Sequence, residues 1–591
     1  MGIPPILRAR RIEAMDHADE RDGPCKVNPR MTTNKLRVCV FLDGETGPLW
    51  IAELLRAIDS CGAAEIVLAV MPEASSQPRP SRLRRWLRSG FRPLLRAAAA
   101  KFLTLWHARL FERSQSVRDA LVETSLTGIL DTAARIYITP RRTLYSDYFE
   151  QPDLDRLAAY DIDVVVRLGY RILRGDVLRV PRYGVWSFHH GDNRINRGGP
   201  PGFWEVMLGW AETGATLQIL SEDLDAGTVL ARTRSSTIPF SVHDNTSAIH
   251  WAALAMVPRQ LLQLRTLGGD AFLERVARDN QDPTIYHSPL YRHPDNLPYA
   301  RLLLRKSIEK ARQLLVNRFW RNQWILLFHF GADPSLSLRK FRRLLPPPDR
   351  FWADPFVLER EGRHYIFIEE LVYAENRGHI AVIEMDHEGR ASQPAIVLQK
   401  PYHLSYPFLF EFGGDLYMVP ETAANRTIEL YRCTQFPHQW EHVHDLMQGV
   451  SAYDTTLLHR DGRWWMFTTL VEVDGAPSWN ELFVFSAPSP LSLDWTPHPL
   501  NPVVSDCRSA RPAGPLFEHH GALYRPSQNS SGRYGYGFNF CRVDMLSDTD
   551  YREQIVARAL PDWAPDVIAT HSYSRSGDLH VIDAQVRRRR I

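Results

Sequence analysis

The chain has 591 residues, 44% of them apolar and 24% charged, with a formal net charge of +3. These are the proportions of an ordinary globular protein with length for roughly three to four domains, and so small a charge gives no ground for a nucleic-acid partner. The six cysteines (Cys25, Cys39, Cys61, Cys433, Cys507, Cys541) are scattered without a Cys-x-x-Cys pair, which argues against a disulfide framework or zinc knuckle and favours a reducing compartment.

Residues 1–34 are charged, lack an apolar core of signal-peptide length, and read as a disordered extension in which Met31 offers a second start. No segment holds the eighteen or so apolar residues of a membrane span, so the expected location is the cytoplasm. Residues 35–265 read as a doubly wound, mainly parallel α/β domain. Leu36–Leu42 is an apolar run suited to a buried parallel strand. An amphipathic helix over Pro48–Ser60 and a strand over Glu65–Val70 follow. Thr124–Leu130 and Ala134–Thr139 are weaker strand candidates. Then come a helix (Asp153–Tyr160), a strand (Ile162–Leu168), a helix (Gly175–Val180) and a strand (Gly184–Phe188). Thr216–Ser221 and Thr228–Thr237 continue as strands, and Thr246–Leu264 as a long helix with Asn245 and Ser247 as caps. Strands alternating with helices over short links imply a parallel sheet covered on both faces. The turn Asp43-Gly44-Glu45-Thr46-Gly47 lacks one glycine of Gly-x-Gly-x-x-Gly, so no dinucleotide is expected.

Positive charge is uneven. An insertion over residues 79–115 carries ten Lys/Arg between Arg79 and Arg113 against Glu112, interleaved with Trp86, Phe91, Phe102, Leu105 and Trp106. Such a stretch can lie peripherally on the inner, anionic membrane surface. The competing reading packs its apolar side on its own domain, and Gly90 and Pro93, which interrupt a continuous face, favour that one. Residues 266–330 read as a helical linker containing a second basic segment, Arg301–Arg321, with seven Lys/Arg against Glu309. Arg587–Arg590 reads as a solvated tail.

The most specific motif is the strand Val185-Trp186-Ser187-Phe188-His189-His190 running into the loop Gly191–Gly199, with Glu222-Asp223-Leu224-Asp225-Ala226-Gly227 about thirty residues later. It places a hydroxyl, an imidazole and a carboxylate beyond strand carboxyl ends, where α/β sheets build sites. Acyl transfer needs donors aimed at a developing oxyanion and a base of near-neutral pKa. Histidine supplies either, and a nearby carboxylate raises its basicity. His190, Asp192, Asn193, Arg194 and Arg197 are further candidates, because so polar a loop needs a polar ligand or solvent. The bland alternative keeps His189 as a hydrogen-bonded core residue. No metal site is expected.

Pro181-Arg182-Tyr183-Gly184-Val185-Trp186-Ser187-Phe188-His189, the loop ending Arg197-Gly198-Gly199, Thr213-Gly214-Ala215-Thr216 and Glu222–Gly227 together resemble the formyltransferase family, over about 230 residues. The resemblance implies that His189 and Asp225 stand where that family has its histidine and aspartate. Its histidine polarises the formyl carbonyl and its aspartate holds the imidazole. It also implies 10-formyltetrahydrofolate as donor. Two departures bear on that donor: Ser187 stands where the family has asparagine, and Asp192, Asn193 and Arg194 replace the Leu-Leu-Pro that lines the folate pocket. A different acyl donor is therefore the competing expectation.

Residues 331–591 repeat. Five times an apolar strand, a glycine-centred turn and an aromatic-rich strand succeed one another, with Gly362, Gly414, Gly462, Gly521 and Gly577 at the turns. Hairpins recurring at such a period are the mark of a propeller, here all-β and five-bladed. A polar residue precedes each hairpin: Asp354, Tyr406, Asp454, Arg511 and His571. The pattern resembles five-bladed glycosidase-like propellers, and more closely the N-terminal domain of glucosamine inositolphosphorylceramide transferases. In the hydrolases acidic residues at such positions act as acid and base. Asp354 and Asp454 match two of them, Arg511 stands where the third is expected, and Glu369, Glu370 or Glu421 could substitute. Trp352, Tyr406, Tyr453 and Trp563 suit stacking on sugars.

The combined expectation is a formyltransferase-like transferase acting on the amine of an amino sugar, in a surface glycan or lipid-linked glycolipid, with a saccharide-binding propeller. The alternatives are a glycosidase or glycosyltransferase using the propeller carboxylates, or a non-catalytic glycan-binding scaffold.

Overall fold

A computed structural model gives the structure, and it describes residues 35–73, 91–112, 117–222, 227–282, 285–334 and 337–590. The expected N-terminal extension, the first part of the basic insertion, and residues 223–226 with the candidate Asp225 lie outside the described residues.

Seven strands form the first sheet: β1 (Leu36–Phe41), β2 (Ala64–Met71), β3 (Ala134–Tyr137), β4 (Val164–Arg167), β5 (Val185–His189), β6 (Glu212–Ile219) and β7 (Thr228–Ser236). Their spatial order is β7-β6-β5-β4-β1-β2-β3. The strands from β5 to β3 pair in parallel, while β6 and β7 add antiparallel at one edge. β1 buries its last four residues, as a strand covered on both faces must. Helix α1 (Leu49–Ser60) supplies cover with Trp50, Ile51, Leu54, Leu55 and Ile58. From β1 the chain builds outward to β2 and β3 on one side and to β4 and β5 on the other. The direction of winding therefore reverses between β1 and β4, and the crevice at such a reversal is where α/β sheets place ligands.

Several elements differ from expectation for local reasons. Thr124–Leu130 yields only the short strand Glu123–Ser125 and a 3-10 turn over Thr127–Leu130, and Gly175–Val180 a 3-10 turn over Asp176–Arg179. The long helix starts earlier and is divided, into α3 (Val242–Leu254) and α4 (Met256–Leu267). Pro258, in the first turn of α4, has no N–H for the Leu254 carbonyl, which ends the ladder there. The cap is Ser241, whose hydroxyl accepts from the Asp244 N–H. Asn245 and Ser247 are buried inside α3, accepting from the Ile238 and Ala120 N–H groups.

The basic insertion forms helix α2 (Phe91–Phe111). Pro93 falls in its first turn, where a missing N–H breaks no helical bond. α2 lies beside α5 (Asn296–Phe319) and runs the same way: Asn296 Nδ2 donates to the Arg96 carbonyl at 2.8 Å, and Lys310 Nζ donates to the Leu110 carbonyl. Leu103 and Phe111 of α2 share a buried cluster with Tyr299, Leu303, Phe203 and Met207.

The second half is all-β. Hairpins turn at Glu361-Gly362, Gly413-Gly414, Asp461-Gly462, His520-Gly521 and Gly577, each with positive φ at its glycine, the conformation glycine adopts without steric cost. Four of the five sheets are built from consecutive strands, beginning at Arg350–Arg360, Ser405–Phe412, Ala452–Arg460 and Phe517–His519. The fifth joins the two ends of the region: β8 (Trp320–Phe330) pairs with β9 (Leu579–Arg589) over eleven residues. The sheets pack in sequence. The first three share one core, the third meets the fourth, the fourth meets the fifth and the fifth meets the first.

Two expectations fail at this seam. Residues 320–330, assigned to a helical linker, form β8, because the run Trp324-Ile325-Leu326-Leu327-Phe328 has its cover here, with Ile325 to Phe328 all buried. The arginines read as a solvated tail lie largely in β9, opposite Trp320 to Asn322, and Arg588 donates to Gln323 Oε1 at 2.7 Å.

Candidate active site

β4 and β5 end side by side, next to the reversal between β1 and β4, and their carboxyl-terminal residues include Arg167, Ser187 and His189. Alternation along β5 sends Trp186 and Phe188 to one face and Ser187 and His189 to the other. The Arg167 guanidinium donates from Nη1 to Ser187 Oγ at 2.8 Å, and from Nε and Nη2 to the Arg171 and Tyr170 carbonyls. Burial lowers its pKa from the usual arginine value, against the opposing pull of Asp43 and Asp147. His189 Nε2 lies 2.5 Å from the Asn196 carbonyl. A carbonyl only accepts, so Nε2 carries a proton, and the neutral tautomer that fits this contact has its lone pair on Nδ1. Gly191 permits that contact: a Cβ there would stand 2.8 Å from His189 Nε2 and 2.9 Å from the Asn196 oxygen.

These residues face a cavity of about 840 Å³. Arg167, Ser187, His189, Arg197, Gln218 and Glu222 supply its polar wall, and Leu144, Ile172, Leu173, Leu220 and Leu290 an apolar one. Glu222 and Gly227 both line it, flanking the residues that include Asp225. The remaining loop candidates divide. Arg197 lines the cavity, with its guanidinium 4.2 Å from the Tyr286 ring centre and Nε donating to the Asn193 carbonyl. Asn193 Oδ1 is buried without a hydrogen-bond partner. Asp192 is held by Arg194 at 2.9 Å and by Arg234 at 2.9 Å, and Arg234 continues to Asp506 at 2.8 Å. His190 stacks on His250 with ring centres 3.9 Å apart and packs against Trp50 and Phe188. Desolvation, with His250 and His189 nearby, pushes its pKa well below the usual value. It is a packing residue, and the mate of the catalytic candidate only in sequence. Arg167 was missed by sequence reasoning: it closes a strand that was recognised, but a single arginine at a strand end carries no motif.

A second polar centre lies among the all-β sheets. Asp354, Tyr406 and Asp454 occupy equivalent places in the first strands of three sheets. Each has positive φ (48°, 44° and 54°) at a register shift, a bulge that re-aims the side chain. Arg511 donates to Asp454 at 2.5 and 3.1 Å and to Glu421 at 3.0 Å. Its guanidinium sits 5.1 and 5.0 Å from the Tyr453 and Tyr534 ring centres. Gln528 also donates to Asp454, at 2.6 Å. Asp354 accepts from Ser572 Oγ at 2.7 Å and lies 3.5 Å from His571, which pairs through Nδ1 with Asp583 at 2.6 Å. Burial raises Asp354 to about 7 despite His571. Asp583 and Asp354 raise His571 to about 9, overcoming burial. Asp354, His571 and Asp583 bring one ligand atom each within 4.8 Å of one another, a donor set able to hold a cation.

The structure thus gathers all five polar residues that precede the hairpins. Glu421 joins them through Arg511, whereas Glu370 is bound to Trp352 and His379, and Glu369 to His403. Two expected sugar platforms are unsuited to stacking: Trp352 and Tyr406 are buried, and Tyr406 bonds Thr456 and the Gly514 N–H. Tyr534, Gln528 and Asp583 belong to the centre and had no sequence signal, since each reaches it from a different strand or loop.

Comparison with known proteins follows the same division. The family model described as glucosamine inositolphosphorylceramide transferase 1, N-terminal, matches residues 334–576. Glucosamine inositolphosphorylceramide transferase 1 of Oryza sativa subsp. japonica is 32% identical over 209 residues, 35% of this chain and 28% of that protein. Methionyl-tRNA formyltransferase of Pelotomaculum thermopropionicum is 26% identical over 222 residues, 37% of this chain and 64% of that protein. The solved glycinamide ribonucleotide transformylase 1 from Symbiobacterium toebii overlaps 42% of this chain and 94% of its own at 17% identity, with a TM-score of 0.26, too slight a likeness to carry an argument. The chain spans under a third of the length of the first of these relatives and just under two thirds of the second. It pairs a formyltransferase-like α/β region with an all-β region similar to the N-terminal part of the glycolipid enzymes.

Proposed function

We propose that this protein is a transferase that moves an acyl group, formyl in the simplest case, onto the amine of an amino sugar in glycolipid or surface-glycan assembly. The observation that carries this reading is the convergence of Arg167, Ser187 and His189 on one cavity at the carboxyl ends of β4 and β5. An acyl carbonyl that gains negative charge under attack needs fixed donors in a water-poor site, and Arg167 supplies a charged donor beside the serine that stands where formyltransferases have asparagine. With Nε2 committed to the Asn196 carbonyl, the Nε2–H tautomer of His189 leaves Nδ1 to take the amine proton. Asp225 is assigned the orienting role by the formyltransferase likeness alone.

The cavity walls suit a flat donor with an acidic tail: Ile172, Leu173 and Leu220 for the ring, Arg174 and Arg292 for carboxylates. A folate of that shape would supply the one-carbon unit. Its volume is within the range of small-molecule and cofactor pockets.

In the same reading residues 320–590 form a five-bladed propeller whose centre holds the saccharide. The alternative, glycoside chemistry by Asp354 and Asp454, is disfavoured by Asp454, whose two oxygens are taken up by Arg511 and Gln528. The Oryza relative's name concerns inositolphosphorylceramide, and its likeness to this chain supports a glycolipid acceptor. The test is purified protein with 10-formyltetrahydrofolate and a panel of nucleotide-linked or lipid-linked amino sugars, read by mass spectrometry for N-formyl product. Product that disappears in His189→Ala and persists in Asp354→Asn supports the proposal; no N-formyl product from the wild type, with cleaved or transferred sugar that is lost in Asp354→Asn, supports glycoside chemistry.

A further inference from the structure

Helix α5 carries apolar side chains on both of its faces. Its buried face carries Tyr299, Leu303 and Lys306. The opposite face, which a solvated helix makes polar, carries Leu297, Leu304, Ile308, Leu315 and Phe319, spaced alternately seven and four residues apart and each between 46% and 63% exposed. Such spacing keeps them in one stripe along the whole helix. Phe102 and Leu105 of the neighbouring α2 are 63% and 59% exposed, and Trp320 extends the stripe at 44%. Exposed contiguous apolar surface of this kind marks an interaction site.

The charges around it say what covers it. Arg301, Arg312 and Arg318 of α5, and Lys101 and Arg109 of α2, are exposed. Arg305 is also exposed and is balanced by Glu309 at 2.9 Å. At the carboxyl end of α5, Arg589 and Arg588 of β9 pair across from Trp320 and Arg321, so the stripe finishes in a cluster of arginines. A second copy of this chain would set these cations against their like. An anionic lipid surface takes both halves of the pattern: side chains enter between the acyl chains while the arginines meet the headgroups. No described helix is long and apolar enough to cross a membrane, and this one has the composition to lie along it. We infer that α5, with α2 at its flank, docks the protein in the plane of an anionic bilayer.

The experiment is flotation of the full chain with vesicles of phosphatidylcholine alone or containing phosphatidylglycerol. The expected result is binding to the anionic vesicles that weakens with added salt, since each basic residue near such a surface contributes roughly fivefold. Leu304→Gln/Ile308→Gln/Leu315→Gln/Phe319→Gln and Arg301→Gln/Arg312→Gln/Arg318→Gln are each expected to reduce binding by at least about tenfold. Thermal melting should be unchanged, because every substituted side chain is exposed. A wild-type chain that stays unbound with every vesicle, or an apolar variant that binds like wild type, overturns the proposal. So does a wild-type dimer that the apolar variant dissolves without any vesicle binding, for then a second copy covers the stripe.

Discussion

Gly191 stands at the tightest point of the candidate site, and its missing side chain has a checkable consequence. Because a Cβ would meet His189 Nε2 and the Asn196 carbonyl at under 3 Å, Gly191→Ala should push the imidazole off its anchor while leaving the sheet intact. The proposed acyl transfer is expected to fall by about a hundredfold or more, the scale of losing one positioned donor, with the melting temperature little moved. In the second centre the residue to watch is His571. Its pKa is about 9 in the folded chain and about 6.5 unfolded. A raised folded value means its stabilisation is complete below the unfolded pKa and is lost as pH rises through the folded one. Stability should therefore fall between roughly pH 6.5 and 9, by on the order of 3 kcal/mol from this group. Asp354, raised to about 7, tilts the lower part of the range the same way, since the folded state holds a proton there that the unfolded state has released. Chemical denaturation across that range should show the slope, and His571→Gln should flatten its alkaline half.

At the scale of the element, legibility followed how local the cause was. The parallel strands and the five hairpin turns were readable, because apolar runs and glycines at positive φ act within a few residues. β8 was not: its apolar run follows a basic helix and finds its partner more than two hundred residues later. The bulges at Asp354, Tyr406 and Asp454 were not readable either: aspartate tolerates positive φ better than most residues, but nothing in the local sequence marks these positions for it, and tyrosine has no such preference. Yet the sequence singled out the polar residues that these bulges bring together, because the repeat marks their position independently of the geometry. In the first site His189 and Ser187 were legible from the motif, Arg167 was not, and His190 was drawn in by adjacency although the strand's alternation sends it to the core. The seam between β8 and β9 gives a direct test. A solvated tail could be removed without effect, but Arg588 bonds Gln323, the Arg587 N–H bonds the Asp566 carbonyl and the Arg590 N–H bonds the Phe319 carbonyl. Ending the chain after Val586 is therefore expected to cost roughly 1–3 kcal/mol, at about 1 kcal/mol per hydrogen bond, measurable as a shifted denaturation midpoint.

At the scale of the molecule the two halves are tied by buried charge. Arg259 of α4 is held by Glu472 and Glu481 at 2.6 and 2.7 Å. Arg234 of β7 spans from Asp192, in the loop that positions His189, to Asp506, five residues before Arg511. The second link is backed by the Cys507 N–H on the Arg234 carbonyl and by Ser505 on Thr233. The distinction between the links matters, because only Arg234 touches a residue of the site loop. Arg259→Ala strands two buried carboxylates and should destabilise the joint by about 3–5 kcal/mol, splitting one calorimetric transition into two as the halves uncouple. Arg234→Gln leaves that joint in place and releases Asp192 from the segment leading to Arg511. It is expected to lower acyl transfer while the halves still melt together. If a saccharide at the Arg511 centre is sensed by the proposed acyl site, the wild type should gain rate on adding a non-reacting sugar fragment and Arg234→Gln should not. Two independent catalytic and binding modules that merely share a chain would respond alike in both proteins.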